Sequence, residues 1–346
     1  MITINKIIKD FVQLACLIKE NIDSVEFETM MQKAEMSNAW FEKQQIKTAI
    51  MNFLVWFDEQ TIKSTIQKSL DKELNESISQ NKESVAIICA GNIPTVAFHD
   101  IVCVLVSGNK AVIKLSSNDE VIIPFLLNKL IEIDAELNEF IELIDKDTLL
   151  KDFHYDAIIA TGSNSSAMYF EHYFANIPHL IRHSRTSLAV IQPKDDISGL
   201  EDDIMLYFGL GCRSVSSLFV PKNYDFSLLK EKLQKYSHYV NHNKYRNNLD
   251  YHKAIFIMNN IPFEDMDVLL LKCDNDIYSA VSVLNYSYYD SLEDVKHIIQ
   301  ANADKIQCVI ASNIENVKTI HFGYAQQPMF DDFADGFNTL KWLNKL

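Results

Sequence analysis

The chain has 346 residues, 48% of them hydrophobic and 23% charged, and 32 Lys and Arg stand against 47 Asp and Glu for a formal net charge of −15. That composition can bury the cores of two ordinary domains, and the negative balance argues against sequence-independent nucleic-acid binding. No apolar run approaches the roughly 20 residues of a membrane span, the six cysteines include no CxxC pair to suggest a zinc site or a disulfide framework, and the N-terminus has no export signal, so the reducing cytoplasm is the expected compartment.

Residues 1–83 read as a helical segment. Ile4, Ile7, Ile8 and Phe11 recur at helical spacing, as do Phe53, Leu54, Phe57 and Ile62, and a polar stretch fills 72–84. The texture changes at Ser84. The run 85–90 is short, apolar and closed by Gly91, which suits a buried parallel strand. A helix at 95–107, a turn at Gly108-Asn109, a strand at 111–115 and a helix at 121–134 follow, then a strand at 156–160, a helix at 165–174 and a strand at 187–191. This alternation predicts a parallel sheet covered by helices, with ligands at the carboxyl ends of its strands. It marks 84–194 as one α/β domain.

A second α/β domain is predicted over 195–320. Its helices fall at 197–208, 227–237 and 292–302, and its strands at 216–220, 255–257, 268–271, 278–284 and 307–311. The tail, 321–346, is aromatic and acidic and is expected to dock on the body.

Cys212 is the principal candidate for chemistry. In Gly209-Leu210-Gly211-Cys212-Arg213-Ser214-Val215 a predicted helix ends in two glycines, a cysteine follows, and a β-prone run begins. A lone cysteine is ordinarily buried and inert, but flexible backbone beside a thiol permits close approach by a ligand. Other segments have two readings each. Asn92-Ile93-Pro94 is a strand-ending turn or a polar group presented at a strand end. Gly162-Ser163 is a helix N-cap or a set of N–H groups for a pyrophosphate. Lys114, closing an apolar strand, snorkels or meets a ligand. The Gly-x-Gly-x-x-Gly fingerprint is absent.

Taken in order, these segments resemble the aldehyde dehydrogenase superfamily and, within it, the acyl-CoA reductases related to the fatty-acid reductase of bacterial bioluminescence. The resemblance rests on Ala90-Gly91-Asn92-Ile93-Pro94, Gly108-Asn109-Lys110-Ala111-Val112-Ile113-Lys114-Leu115-Ser116, Ala160-Thr161-Gly162-Ser163, the Cys212 segment, Asn275-Asp276-Ile277-Tyr278, and Asp335-Gly336. It implies that 84–194 is a Rossmann-type parallel-sheet dinucleotide-binding domain, that 195–320 is a second α/β catalytic domain carrying the nucleophilic cysteine, and that the N-terminus is helical. It also implies roles: Cys212 as nucleophile, Asn92 as oxyanion donor, Lys114, Ser116 and Ser117 at the adenosine ribose or its phosphate, Thr161, Gly162 and Ser163 at the dinucleotide, and Asp276 at the nicotinamide ribose.

One departure from the superfamily is informative. Hydrolytic members carry a glutamate base upstream of the cysteine, whereas residues 175–194 of this chain contain no carboxylate. Water is then poorly activated against an acyl-enzyme, which favours thioester chemistry over oxidation of aldehyde to acid. The implied reaction is reduction of an acyl thioester to aldehyde through an acyl-cysteine. NADPH is the expected cofactor because Ser117 stands where NAD-preferring relatives often carry a glutamate; NADH remains open, since Asp119 and Glu120 lie close by. The implied partners are acyl-CoA or an acyl carrier protein and a second copy of the chain in a homodimer. Two alternatives stay open: an acyltransferase or thioesterase that takes no hydride, and a non-catalytic subunit of an acyl-transfer complex.

Overall fold

The computed structural model describes residues 2–70, 74, 78, 82–144 and 153–346; most of the polar stretch at 72–84 lies outside them. The chain divides into two compact units, residues 1–184 with 328–346, and residues 185–327.

The first unit begins with four helices: α1 (Ile4–Asn21), α2 (Val25–Ser37), α3 (Lys43–Phe53) and α4 (Glu59–Ser69). Thr3, Ser24 and Asp58 cap α1, α2 and α4 by accepting N–H groups of the first turn. Ile4, Ile7, Ile8, Phe11, Leu14 and Ile18 form the buried stripe of α1, and Phe11 stacks on Phe57 at 5.1 Å. The sheet follows: β1 (Ser84–Ile88), α5 (Phe98–Val106), β2 (Lys110–Lys114), α6 (Ile122–Ile133), β3 (Ile141–Ile144), β4 (Ala157–Thr161), α7 (Asn164–Tyr173) and β5 (His179–Arg182). All five strands are parallel, in the order β3-β2-β1-β4-β5. The chain winds outward from β1 to β3, then restarts on the other side of β1 with β4. A parallel sheet opens its ligand crevice where the winding reverses, here at the carboxyl ends of β1 and β4.

The second unit holds β6 (Thr186–Val190), α8 (Leu200–Met205), β7 (Val215–Pro221), α9 (Ser227–Leu233), α10 (Asn243–Met258), β8 (Glu264–Asp265), β9 (Leu270–Cys273), β10 (Val283–Tyr289), α11 (Leu292–Ala301) and β11 (Ile306–Ile310). Its sheet runs β11-β6-β7-β10-β9-β8, parallel except for the antiparallel edge pair β8 and β9. The architecture expected from the sequence is thus present: a parallel α/β sheet, a second and mostly parallel α/β sheet, and N-terminal helices.

Three element predictions need correction. The strand at 255–257 is the last part of α10: Phe256 is buried while Ile257 and Met258 are 61% and 77% exposed, a helical one-sided pattern that three consecutive apolar residues concealed. The strand at 278–284 starts only at Val283, because 274–282 is a loop. The helix at 197–208 is restricted to α8, after which Tyr207, Phe208 and Gly209 all take left-handed φ angles of 55°, 57° and 71°. Such φ values are uncommon for bulky residues, and packing compensates here: the Phe208 ring lies 4.2 Å from Tyr239, 4.6 Å from His242 and 5.6 Å from Tyr245.

The C-terminal residues return to the first unit and end in α12 (Thr339–Leu343). Arg182, at the end of β5, is 4% exposed. It donates to Asp100 at 2.6 Å, to the Ala334 carbonyl oxygen at 3.1 Å and to Thr339 Oγ1 at 3.1 Å. The tail is therefore fixed by a buried guanidinium as well as by Phe330, Leu340 and Leu343 in the core.

Candidate active site

The residues of the first unit given site roles, Asn92, Lys114, Ser116, Ser117, Thr161, Gly162 and Ser163, lie at the carboxyl edge of β1, β2 or β4. In the parallel register Ile88 of β1 pairs with Lys114 of β2 and Ala160 of β4, and Cys89 N donates to the Lys114 carbonyl oxygen at 3.0 Å. Asn92 follows β1 and is exposed, Lys114 ends β2 and is half-buried, and Thr161 ends β4.

The loops after β1 and β2 are pressed together. A Cβ on Gly91 would stand 2.5 Å from Ser116 Oγ and 2.9 Å from Asn118 Cβ, so only glycine fits. Ser116 Oγ accepts from Asn118 N at 3.2 Å and so folds its own turn; Ser117 points its residue surface to solvent. Asp119 is 4% exposed. It accepts the Ile122 N–H at 3.2 Å, and backbone N–H groups of Thr95 and Val121 also favour its charged form, although burial wins and pushes the carboxyl up to about 6. Thr95 itself has a left-handed φ of 62°. Asp119 thus ties the loop after β2 to the turn after Asn92 and is consumed by backbone contacts.

The turn after β4 also has the form of a cradle. Ser163 caps α7 by accepting Ser166 N at 3.2 Å, the first turn of α7 carries no acidic residue, and a Cβ on Gly162 would meet Ser166 Cβ at 2.9 Å. Bare backbone at a helix N-terminus beside a sheet switch point fits a pyrophosphate.

Cys212 and Asp276 belong to the second unit. Cys212 is half-buried and precedes β7. Its carbonyl oxygen accepts Ser187 Oγ of β6 at 2.9 Å. Next to it, Arg213 Nη1 donates to the Ala325 carbonyl oxygen at 3.1 Å, and Ser214 Oγ accepts from Gly211 N at 3.3 Å and from Gln326 Nε2 at 3.2 Å. The loop after β9 is held by the same sheet: Ser216 Oγ donates to the Ile277 carbonyl oxygen, and Asn285 Nδ2 donates to those of Asp276 at 3.0 Å and Tyr278 at 2.9 Å. Asp276 is exposed, and its Oδ1 accepts Tyr278 N at 3.0 Å. Polar side chains of β6, β7 and β10 therefore secure both the cysteine turn and the Asp276 loop.

Other cysteines suit a nucleophile less well. Cys89 and Cys103 are buried, and burial pushes both thiols well above their ordinary value; Cys308 is buried, and Cys16 and Cys273 are exposed. Sequence reasoning saw Asp119 only as a carboxylate near the cofactor position and not as a tie between loops, and it missed Ser187, Asp203, Ser216 and Asn285. Polar residues inside β-prone runs were the available signal for Ser216 and Asn285, since a buried strand tolerates them only with partners.

With that geometry in view, comparison with known proteins is decisive on the family. A family model described as acyl-CoA reductase (LuxC) matches residues 8–282. The chain belongs to that family. Membership makes it a reductase that converts acyl-CoA toward aldehyde, with a cofactor of the NAD(P) type consistent with its parallel sheet. No curated protein matches the chain. Among solved structures, this acyl-CoA reductase is similar to an aldehyde dehydrogenase from Bacillus cereus (14% identity, 91% of this chain and 73% of that chain, TM-score 0.63). It is also similar to an acetylating aldehyde dehydrogenase from Geobacillus thermoglucosidasius (12% identity, 93% and 82%, TM-score 0.64) and to an aldehyde dehydrogenase from Mycobacterium tuberculosis (16%, 86% and 71%, TM-score 0.56). At these identities the likeness establishes the fold alone. Among the described residues of the reductase, no helix is long and apolar enough to cross a membrane, and no group of His, Cys, Asp and Glu could hold a metal.

Proposed function

We propose that this acyl-CoA reductase works through a covalent acyl-Cys212 intermediate and prefers NADPH. The Cys212 thiolate attacks the thioester carbonyl carbon, the bond from that carbon to the CoA sulfur breaks, and CoA leaves as a thiolate that takes a proton from water. Two donors are assigned to the oxyanion of this step, the Cys212 backbone N–H and the Asn92 side-chain amide. When bound, the nicotinamide cofactor supplies the hydride that reduces the acyl group. Cys212 then departs as thiolate and aldehyde is released.

The observation that carries the reading is the mounting of Cys212: a half-buried thiol on a turn whose backbone is held by Ser187, with Arg213 and Ser214 beside it held in turn. The lack of any carboxylate over 175–194 supports an acyl-enzyme that water attacks slowly. Lys114, Ser116, Ser117, Thr161, Gly162 and Ser163 are assigned to the cofactor, and Asp276 to its nicotinamide ribose. Preference for NADPH is supported by exposed Ser117 and by Asp119, whose carboxylate is committed to backbone N–H groups. A 2′-phosphate would then meet Lys114 with no competing carboxylate from Asp119.

The test mixes octanoyl-CoA, NADPH and the protein and follows cofactor absorbance, free thiol and aldehyde. One aldehyde and one free CoA should form for each NADPH oxidised. Release of CoA with octanoate and no loss of NADPH would replace this reading with a thioesterase.

A further inference from the structure

Asp203 has no part in the chemistry above, yet it is 0% exposed. It lies on α8, whose first turn carries the three acids Glu201, Asp202 and Asp203. Its two oxygens take separate backbone donors, Oδ2 from Gly323 N at 2.6 Å and Oδ1 from Ala325 N at 2.9 Å. Burial raises the carboxyl to about 7, opposed by these two N–H groups and reinforced by the charges of Asp202 and Glu201. Asp202 is engaged with Lys235 and with the Tyr236 hydroxyl, and Glu201 with Gly199 N.

The anchored segment, 322–327, leads to the cysteine. Its Ala325 carbonyl oxygen accepts Arg213, and its Gln326 amide donates to Ser214, so both residues after Cys212 are held from one segment. The segment has little slack at its other end. Gly199 and Gly323 have φ of +90° and +86°, and a Cβ on Gly199 would lie 2.5 Å from Gly323 Cα. We propose that Asp203 is a positioning residue for Cys212, holding 322–327 as a strap that fixes the turn 211–214. The proposal rests on the reading of Cys212 as the nucleophile. A carboxylate is the side chain suited to this position, because it offers acceptors to both N–H groups, whereas an amide offers one acceptor oxygen and an NH2 that opposes the second N–H.

The test uses the full chain as Asp203→Asn and, separately, as Arg213→Ala with Gln326→Ala, which cuts the strap from the turn and leaves Asp203 in place. Amide hydrogen exchange and single-turnover acylation by octanoyl-CoA without cofactor are measured. Both variants should exchange faster over 211–214 with β7 and β10 unchanged. The maximal acylation rate should fall about 10²-fold, while the octanoyl-CoA concentration at half-maximal rate stays as in wild type. Wild-type acylation in either folded variant overturns the proposal, and the double variant decides if Asp203→Asn does not fold. If the wild type forms no adduct at Cys212, the nucleophile reading fails on its own. Exchange then judges the strap: lost protection over 211–214 supports it, and unchanged protection overturns it.

Discussion

The Ser187 hydroxyl donates to the carbonyl oxygen of Cys212 at 2.9 Å from a strand position with no exposed surface. It fixes the cysteine backbone to β6, while the strap at 322–327 fixes the two residues that follow. A nucleophile is effective when its attack geometry is set before substrate arrives, and a turn bound on both sides provides that. Glycines at 209 and 211 shape the turn; the hydrogen bonds hold it.

Loss of Arg182 is predicted to destabilise the first unit strongly. Arg182→Ala leaves Asp100 buried without its guanidinium and removes the donors to Ala334 and Thr339. Breaking a buried pair from one side costs about 3–5 kcal/mol, so urea denaturation should show a loss of that size, with early proteolysis in 328–346. A loss as small as that of a surface pair, below about 1 kcal/mol, would show that the tail is held by its apolar residues alone.

Asn92→Ala should reduce turnover by about 10²–10³-fold and leave cofactor affinity unchanged, because the side chain is assigned to the oxyanion and not to the dinucleotide. Steady-state rates with equilibrium cofactor titration separate the two effects. Full turnover in the variant would return Asn92 to the role of a turn residue after β1.

Lys114 and Ser117 set the expected cofactor preference. Wild type should bind NADPH more tightly than NADH, since a charge-assisted contact exceeds a neutral one. Lys114→Ala should remove most of the difference, and Ser117→Glu should turn it toward NADH. Fluorescence titration of both cofactors checks this. Equal affinities in wild type, unchanged in Lys114→Ala, would leave Lys114 as a ribose contact or a surface lysine.

Asp203 makes stability depend on pH in a defined direction. Its carboxyl is raised to about 7 by burial, above an unfolded value of about 3.9, so the folded state binds the proton more tightly. The stability it contributes is complete below about pH 4, falls as pH rises to about 7 and is flat beyond. Asp203→Asn removes this dependence. The thermal midpoint of wild type relative to Asp203→Asn should therefore decline across that window. A constant difference would mean that Asp203 does not titrate there.

Much of this fold is legible in the sequence because buried parallel strands are short apolar runs. Val85–Ile88, Ala111–Ile113 and Ala157–Ala160 are almost unbroken, and the structure buries nearly all of them. Strands β3 and β5 escaped notice because each has only four residues, Glu142 interrupts β3, and β5 has just two apolar residues between His179 and Arg182. The triplet Ile255-Phe256-Ile257 misled for the opposite reason, being apolar where a helix exposes one face. At the candidate site, Cys212 and Asn92 are visible through local turn residues. Asp203 is not, since its partners lie 120 and 122 residues away and its neighbours Glu201 and Asp202 are half-buried acids. Local pattern reveals where a turn is; long-range hydrogen bonds that hold it leave no periodic trace.

The most direct measurement is the mass of the protein after mixing with octanoyl-CoA in the absence of cofactor, with peptide mapping of the product. The account predicts one octanoyl group per chain, carried by the peptide that contains Cys212, with release of one CoA, and no adduct in Cys212→Ala. An octanoyl group on another residue, or on the Cys212→Ala protein, would contradict it.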